Sequence, residues 1–211
     1  GRRWKSAALG AALAVWAANG ASQIVAAPSA LLSHAEGSIA VAPKGDKEWM
    51  DASARRALQR GDRVWTDKGS RAEVQAGAHV VRMDGQTQLS LDAVGEGATQ
   101  MSVMRGSVAV SVPQLAPGEN VEVGTPNLAF RARQAGEYRI DVDAQRGTTR
   151  VSVMSGAGVV FGEHGESVDV AAGQRLTFRQ RVLAKAATPA FTAVDDFDHW
   201  MVARARGPAS A

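Results

Sequence analysis

No cysteine occurs among the 211 residues. That one absence removes disulfide bridges, thiolate zinc sites and cysteine nucleophiles together, so the fold must be held by packing alone. Aromatic residues are also scarce, with five Trp, five Phe and one Tyr. They are too few to fill a core and also tile a sugar-stacking surface. No GxSxG elbow and no phosphate-cradling glycine loop is present. His34, His79, His164 and His199 are scattered, with no second histidine four residues on from any of them. They read as surface or turn histidines rather than metal ligands. The chain is therefore expected to have no catalytic residues, no metal and no cofactor, and not to be an enzyme.

An excess of charge of either sign is missing from most of the chain. The overall excess of +3 and the sequence pI near 9.7 suggest a nucleic-acid partner until the charges are located. Arg2, Arg3 and Lys5 stand in the first 27 residues with no acidic residue beside them; removing these three from 24 basic side chains leaves 21 against 21 acidic ones. A body near neutrality, without a Lys/Arg stripe interleaved with aromatics, lacks the footprint that phosphate backbones require.

A long apolar run is missing too. The longest, "SAALGAALAVWAA", follows the basic "GRRWK" and precedes "NGASQIVAAP", while a spanning helix needs about 20 apolar residues. Basic start, short apolar stretch and small residues between Ala18 and Ala27 follow the order of a secretory signal. Residues 1–27 are expected to be a signal peptide or, if uncleaved, a membrane anchor. That segment would be the chain's only contact with a membrane, and the remainder is placed in the periplasm or cell envelope.

What is present from residue 36 to about 178 is alternation. "SVAVSV", "NVEVG", "LAFRAR", "EYRIDVD", "TRVSVM", "ESVDV" and "QRLTF" each place apolar residues at every second position, which is the pattern of half-buried strands. Turn chemistry such as "TDKGS", "LAPGEN" and "AQRG" separates them at intervals of eight to twelve residues. The fold class is all-β, with many short strands in a β-solenoid-like or two-sheet sandwich arrangement. "MDGQTQLSL" reads as a tight hairpin, with Asp84 and Gly85 taking positive φ. "SARRALQRG" is expected to form about one helical turn, and "AVDDFDHWMVARARG" a short helix capped through Asp195 or Asp196. Trp49 and Trp65 lie in strand-like sequence and are assigned to the core. Residues 28–180 form the β domain, and 181–211 a C-terminal extension carrying the short helix.

One line is written twice. "MSVMRGSVAV" at 101–110 and "VSVMSGAGVV" at 151–160 agree at five of ten positions, and "AEGSIAV" sets Gly37 where Gly106 and Gly156 stand. Met101 and Val103 share one parity while Val108, Val110 and Val112 share the other, so the register slips by one residue at Arg105-Gly106. A bulge or corner produces that slip, and glycine permits it. Gly37, Gly85, Gly106 and Gly156 are the expected structural turns.

The succession "EGSIAVAPKGDKEWMDASARRALQRGDRVWTDKGSRAEVQAGAHVVRMDGQTQLSL", "MSVMRGSVAVSV" and "VEVGTPNLAFRARQAGEYRIDVD" resembles the FecR-domain family of bacterial envelope proteins over roughly residues 35–180. The tail "DDFDHW..AR.R" is similar to the segment that follows this domain in exported, FecR-domain-only proteins. The resemblance implies an all-β domain outside the cytoplasmic membrane. The family's best-known members regulate sigma factors by reading an outer-membrane transporter through protein contact. Those regulators carry a helical cytoplasmic segment before a transmembrane helix, whereas five residues precede the apolar run here.

Function is therefore expected in protein contact, with another envelope protein as partner. Arg131, Arg133, Arg139, Asp141 and Asp143 lie close in sequence on outward positions of two strands and are the candidate partner-binding residues. Asp141 and Asp143 share a strand face, which would also suit a cation; a solvated face is the plainer reading. Two alternatives have other sequence support: a cell-wall or carbohydrate-binding module, and the periplasmic part of a sigma-factor regulator whose cytoplasmic segment is missing from this chain.

Overall fold

The computed structural model of the chain describes residues 30–95, 97–180, 182–187 and 194–207. The expected leader, residues 1–27, lies outside them. No helix among the described residues is long and apolar enough to cross a membrane.

Seventeen strands run in chain order: β1 (Ala30–Glu36), β2 (Ile39–Ala42), β3 (Met50–Asp51), β4 (Arg56–Leu58), β5 (Arg63–Thr66), β6 (Arg71–Ala76), β7 (His79–Met83), β8 (Thr87–Gly95), β9 (Ala98–Val112), β10 (Asn120–Gly124), β11 (Ala129–Ala132), β12 (Gly136–Asp143), β13 (Thr148–Ser155), β14 (Ala157–Phe161), β15 (Ser167–Ala171), β16 (Arg175–Arg179) and β17 (Val182–Ala187). One helix follows, α1 (Asp196–Ala205). The fold is all-β and does not close into a barrel. The extension beyond residue 180 begins as sheet, because β17 pairs with β16.

Pairing divides the strands between two sheets. The first runs β4-β1-β6-β7-β9-β12-β13-β16-β17, antiparallel throughout. The second runs β3-β2-β5-β8-β9-β10-β11-β14-β15, with β9 and β10 parallel. Strand β9 belongs to both: residues up to Arg105 pair in the second sheet, and Gly106 to Val112 in the first. Inward residues of both sheets meet in one apolar cluster, with Val81, Val110, Ile140 and Val151 from the first and Val64, Leu89, Met101 and Phe130 from the second.

The repeated line marks where the chain changes sheet. Gly37, Gly106 and Gly156 all have positive φ, at 76°, 89° and 85°. β1 passes into β2 at Gly37 and β13 into β14 at Gly156, each leaving the first sheet for the second. At Gly106 the crossing runs the other way. Inward residues change parity at the corner, from Met101 and Val103 to Val108 and Val110, and from Val151 and Val153 to Val160. A residue with positive φ inserted between two strands reverses which face looks inward. Gly158, which stands where the other copy has Val108, makes room for a ring: a Cβ there would lie 2.2 Å from Phe130 Cε2. Phe130 packs on Tyr138 with ring centroids 5.1 Å apart, and the Tyr138 hydroxyl donates to the Gln134 carbonyl at 2.6 Å beside the Gly156 corner.

Two local expectations are corrected. "MDGQTQLSL" is not a hairpin, since β7 pairs with β6 and β9 while β8 pairs with β5 and β9. The positive φ falls on Gln86, at 56°, rather than on Gly85. Gly85 is constrained by proximity instead: a Cβ would lie 3.0 Å from the Gly69 amide nitrogen. "SARRALQRG" forms no helical turn. Arg55 takes φ 72° and Arg56–Leu58 pairs with β1, because Leu58 is drawn fully into the core.

Candidate functional site

The two outer faces differ. Alternation alone would leave Ala109, on the outward side of β9, in solvent, yet it is fully buried. Helix α1 lies over it, seating Phe197 and Met201 there with Met154 and Trp200 alongside. The helix is locally well specified: Asp195 caps it by accepting from the Asp198 amide at 2.9 Å, and the Asp198 carboxylate accepts from the Asp195 amide at 3.1 Å. This reciprocal pairing satisfies two backbone donors that the helix start would otherwise leave open.

Arg139 ties the helix down. Its guanidinium donates to Asp141 at 2.9 Å, to Asp198 at 2.8 Å and to both oxygens of Asp195 at 2.9 and 2.8 Å, and it lies 5.2 Å from the Phe197 ring centroid. Burial opposes its charge, but the hydrogen bond to Asp195 and the Asp141 charge more than offset this and raise its pKa above the ordinary arginine value. The Arg139 guanidinium likewise holds the Asp195 carboxyl well below the usual carboxylate range, against partial burial. A second set fastens the other flank, where Arg204 meets Glu73 at 3.4 Å, Glu73 meets Arg82 at 3.1 Å, and the Trp200 indole donates to Glu36 at 3.0 Å.

A pH dependence follows from the depressed Asp195 value. Its contribution is complete above the unfolded carboxylate pKa near 3.8 and is lost as pH falls from there toward the lower folded value. The melting temperature should fall as pH drops below about 4, and fall less steeply in Asp195→Asn, which keeps a capping side chain but cannot titrate. The difference should be modest, because the Asp195 side chain is half exposed. Thermal melts of both proteins between pH 2 and 7 would measure it.

The five candidate partner-binding residues are not one surface. Arg131 is exposed on β11 in the second sheet, paired with Glu122 at 2.8 Å and 5.1 Å from the Phe161 ring centroid. Arg133, just past β11, is exposed, and its amide donates to the Ala157 carbonyl. Arg139, Asp141 and Asp143 lie on β12 in the first sheet. Asp141 accepts from Arg139 and from the Ser107 hydroxyl at 2.7 Å, while Asp143 caps a turn by accepting from the Gln145 and Arg146 amides. The chain changes sheet between β11 and β12, so neighbours in sequence end on different faces. Arg139 is already engaged by the chain's own helix.

Other side chains also depart from expectation. His79 is fully buried, its Nε2 2.7 Å from Glu119 Oε1, because β7 turns it inward. Among the described residues, no group of three His, Asp or Glu could hold a metal ion. Trp49 and Trp65 are outside the core: Trp49 is 40% exposed, and Trp65 is half-buried on the outward parity of β5, between the fully buried Val64 and Thr66. Each indole carries a guanidinium, Arg63 at 5.1 Å over Trp49 and Arg105 at 5.3 Å over Trp65. No described element covers this face as α1 covers the other.

Comparison with known proteins agrees with this architecture. Residues 62–157 match the FecR protein family. No curated protein matches the chain. Two crystal structures of a candidate anti-sigma factor from Parabacteroides distasonis ATCC 8503, at 2.50 and 1.65 Å resolution, share the fold with a TM-score of 0.53. They are 13% and 12% identical to this chain, over 61% of it and 60% of theirs. At that identity the likeness is one of fold. The β5-to-corner stretch from Asp62 to Ala157, which holds the crossing at Gly106 and reaches the one at Gly156, is the part of the chain that matches the FecR protein family.

Proposed function

We propose that the chain is a non-enzymatic sensing module of the bacterial cell envelope, acting by protein contact from the periplasm, with another envelope protein as its partner. The observation that carries this reading is the FecR domain at residues 62–157, in a fold like that of a candidate anti-sigma factor. The arrangement of charged groups supports it. Arg139, Asp141, Asp195 and Asp198 satisfy one another in a structural cluster. The partner would meet either an open strand edge or an uncovered sheet face, both of which suit chain-to-chain recognition.

A cell-wall or carbohydrate-binding role is the second reading, favoured by Trp49 and Trp65 lying outside the core. It is the weaker one because each indole is already faced by a guanidinium rather than left bare for a sugar ring. Crosslinking of the full chain in its native envelope, followed by mass spectrometry, tests the proposal. One defined protein should be recovered; a chain with no protein partner, or one that hydrolyses glycan or peptide, would contradict it.

A further inference from the structure

The outer face of the second sheet carries a constellation that the FecR assignment does not use. Trp65 stands directly opposite Gln88, and Gln88 opposite Arg105, so these three form one cross-strand row over β5, β8 and β9. Arg63 lies two residues along β5 from Trp65 on the same face, and its guanidinium covers Trp49. Four arginines around α1 hold carboxylates: Arg71 with Asp84, Arg82 and Arg204 with Glu73, and Arg139 with three aspartates. Arg63 and Arg105 have no carboxylate partner among the described residues. Arg63 donates to the Asp46 carbonyl, and otherwise both rest on indole rings.

Two cations held over tryptophan rings have the composition of a protein-binding hot spot, where Trp and Arg are enriched. Stacking on the indole fixes each guanidinium while leaving its N–H edges free to grip a carboxylate. We infer that this face is a docking site for an acidic, partly apolar peptide segment of the partner. The inference rests on the protein-contact reading above. The partner's carboxylates neutralise Arg63 and Arg105, and its apolar side chains cover the indole edges. Spacing sharpens this. The two arginines stand two strands apart and two residues along, about 12 Å between Cα atoms, which corresponds to carboxylates about four residues apart in an extended segment.

The test places a photoreactive benzoyl-phenylalanine at Gln88 or at Asp169, in the edge strand β15, in the full chain within its native cells. Gln88 should crosslink to one protein segment bearing two carboxylates about four residues apart. The yield should fall about tenfold in the Arg63→Glu/Arg105→Glu double variant, whose melting temperature should fall by only a few degrees as two cation-π contacts are lost. If that variant does not fold, Arg63→Gln/Arg105→Gln removes the same charges without adding opposite ones and should lose the crosslink as well. Crosslinks from Asp169 alone would overturn the docking face and leave protein contact standing at the edge. A glycan or lipid adduct at Gln88, or a segment without carboxylates, would overturn it too. Absence of any crosslink from either position would overturn both this inference and the reading beneath it.

Discussion

Replacing Gly106 with valine should destabilise the protein by about 4 kcal/mol or more, which for a chain of this size lowers the melting temperature by about 10 °C. Two independent effects act at one residue. A β-branched side chain would be forced to φ 89°, where L residues are strained. Its Cβ would also lie 2.3 Å from Thr87 Oγ1, 2.6 Å from Thr87 Cα and 2.8 Å from the Gln86 carbonyl oxygen. Two of these contacts are backbone, so no rotamer relieves them. Thr87 cannot simply retreat, because its hydroxyl is fully buried and accepts from the Ser107 amide across the corner at 3.0 Å. Differential scanning calorimetry is the measurement. An unchanged melting temperature would mean that β9 passes between the sheets by some other geometry.

Arg139→Met should cost about 3 kcal/mol and release α1 from the sheet. Removing one member of a buried ionic cluster leaves the others uncompensated, at a typical cost of about 3–5 kcal/mol. Here the low end applies, because Asp198 and Asp141 are largely buried but Asp195 is half exposed. The loss should appear as rapid hydrogen exchange along residues 196–205 together with the lowered melting temperature. The triple variant Arg139→Met/Asp195→Asn/Asp198→Asn separates causes. It removes two of the three stranded carboxylates, leaving Asp141, while keeping a capping residue, so it should recover part of the stability lost in the single variant. Protection of α1 identical to that of the parent protein in Arg139→Met would show that the apolar contacts of Phe197 and Met201 hold the helix alone.

Much of the fold is legible in the sequence because alternation is a direct record of burial. "SVAVSV" places Val108, Val110 and Val112 inward, and the slip at Arg105-Gly106 coincides with the passage between sheets. Strand β1 is less legible, since "ALLSHAE" lacks the alternation and contains a register shift between Leu32 and His34. Turn chemistry shows where a chain bends but not which sheet receives the next strand. That is why "MDGQ" reads as a hairpin and why Arg131 and Arg139 seem to be neighbours. Arg139 is outward by parity, as the sequence implies. What covers it comes from a helix 56 residues away along the chain, and no local pattern records that contact. Trp49 and Trp65 are misplaced for a related reason: hydrophobicity argues for burial, while cation-π partners such as Arg63 and Arg105 let an indole lie on a sheet's outer face. The face proposed here for docking could be assembled only once the register of β5, β8 and β9 was known.

One sheet face is sealed by the chain's own helix, and the other is the face proposed for a protein partner. Because the chain has no cysteine, single replacements report each face without background. Ala109→Cys lies beneath Phe197 and Met201, and Gln88→Cys sits in the open row between Trp65 and Arg105. Maleimide labelling should be slow at position 109 both in the purified chain and in the native envelope. At position 88 it should be fast in the purified chain and strongly slowed in the envelope, where the partner covers the face. Equal rates at position 88 in the two settings, or rapid labelling at position 109, would contradict the account.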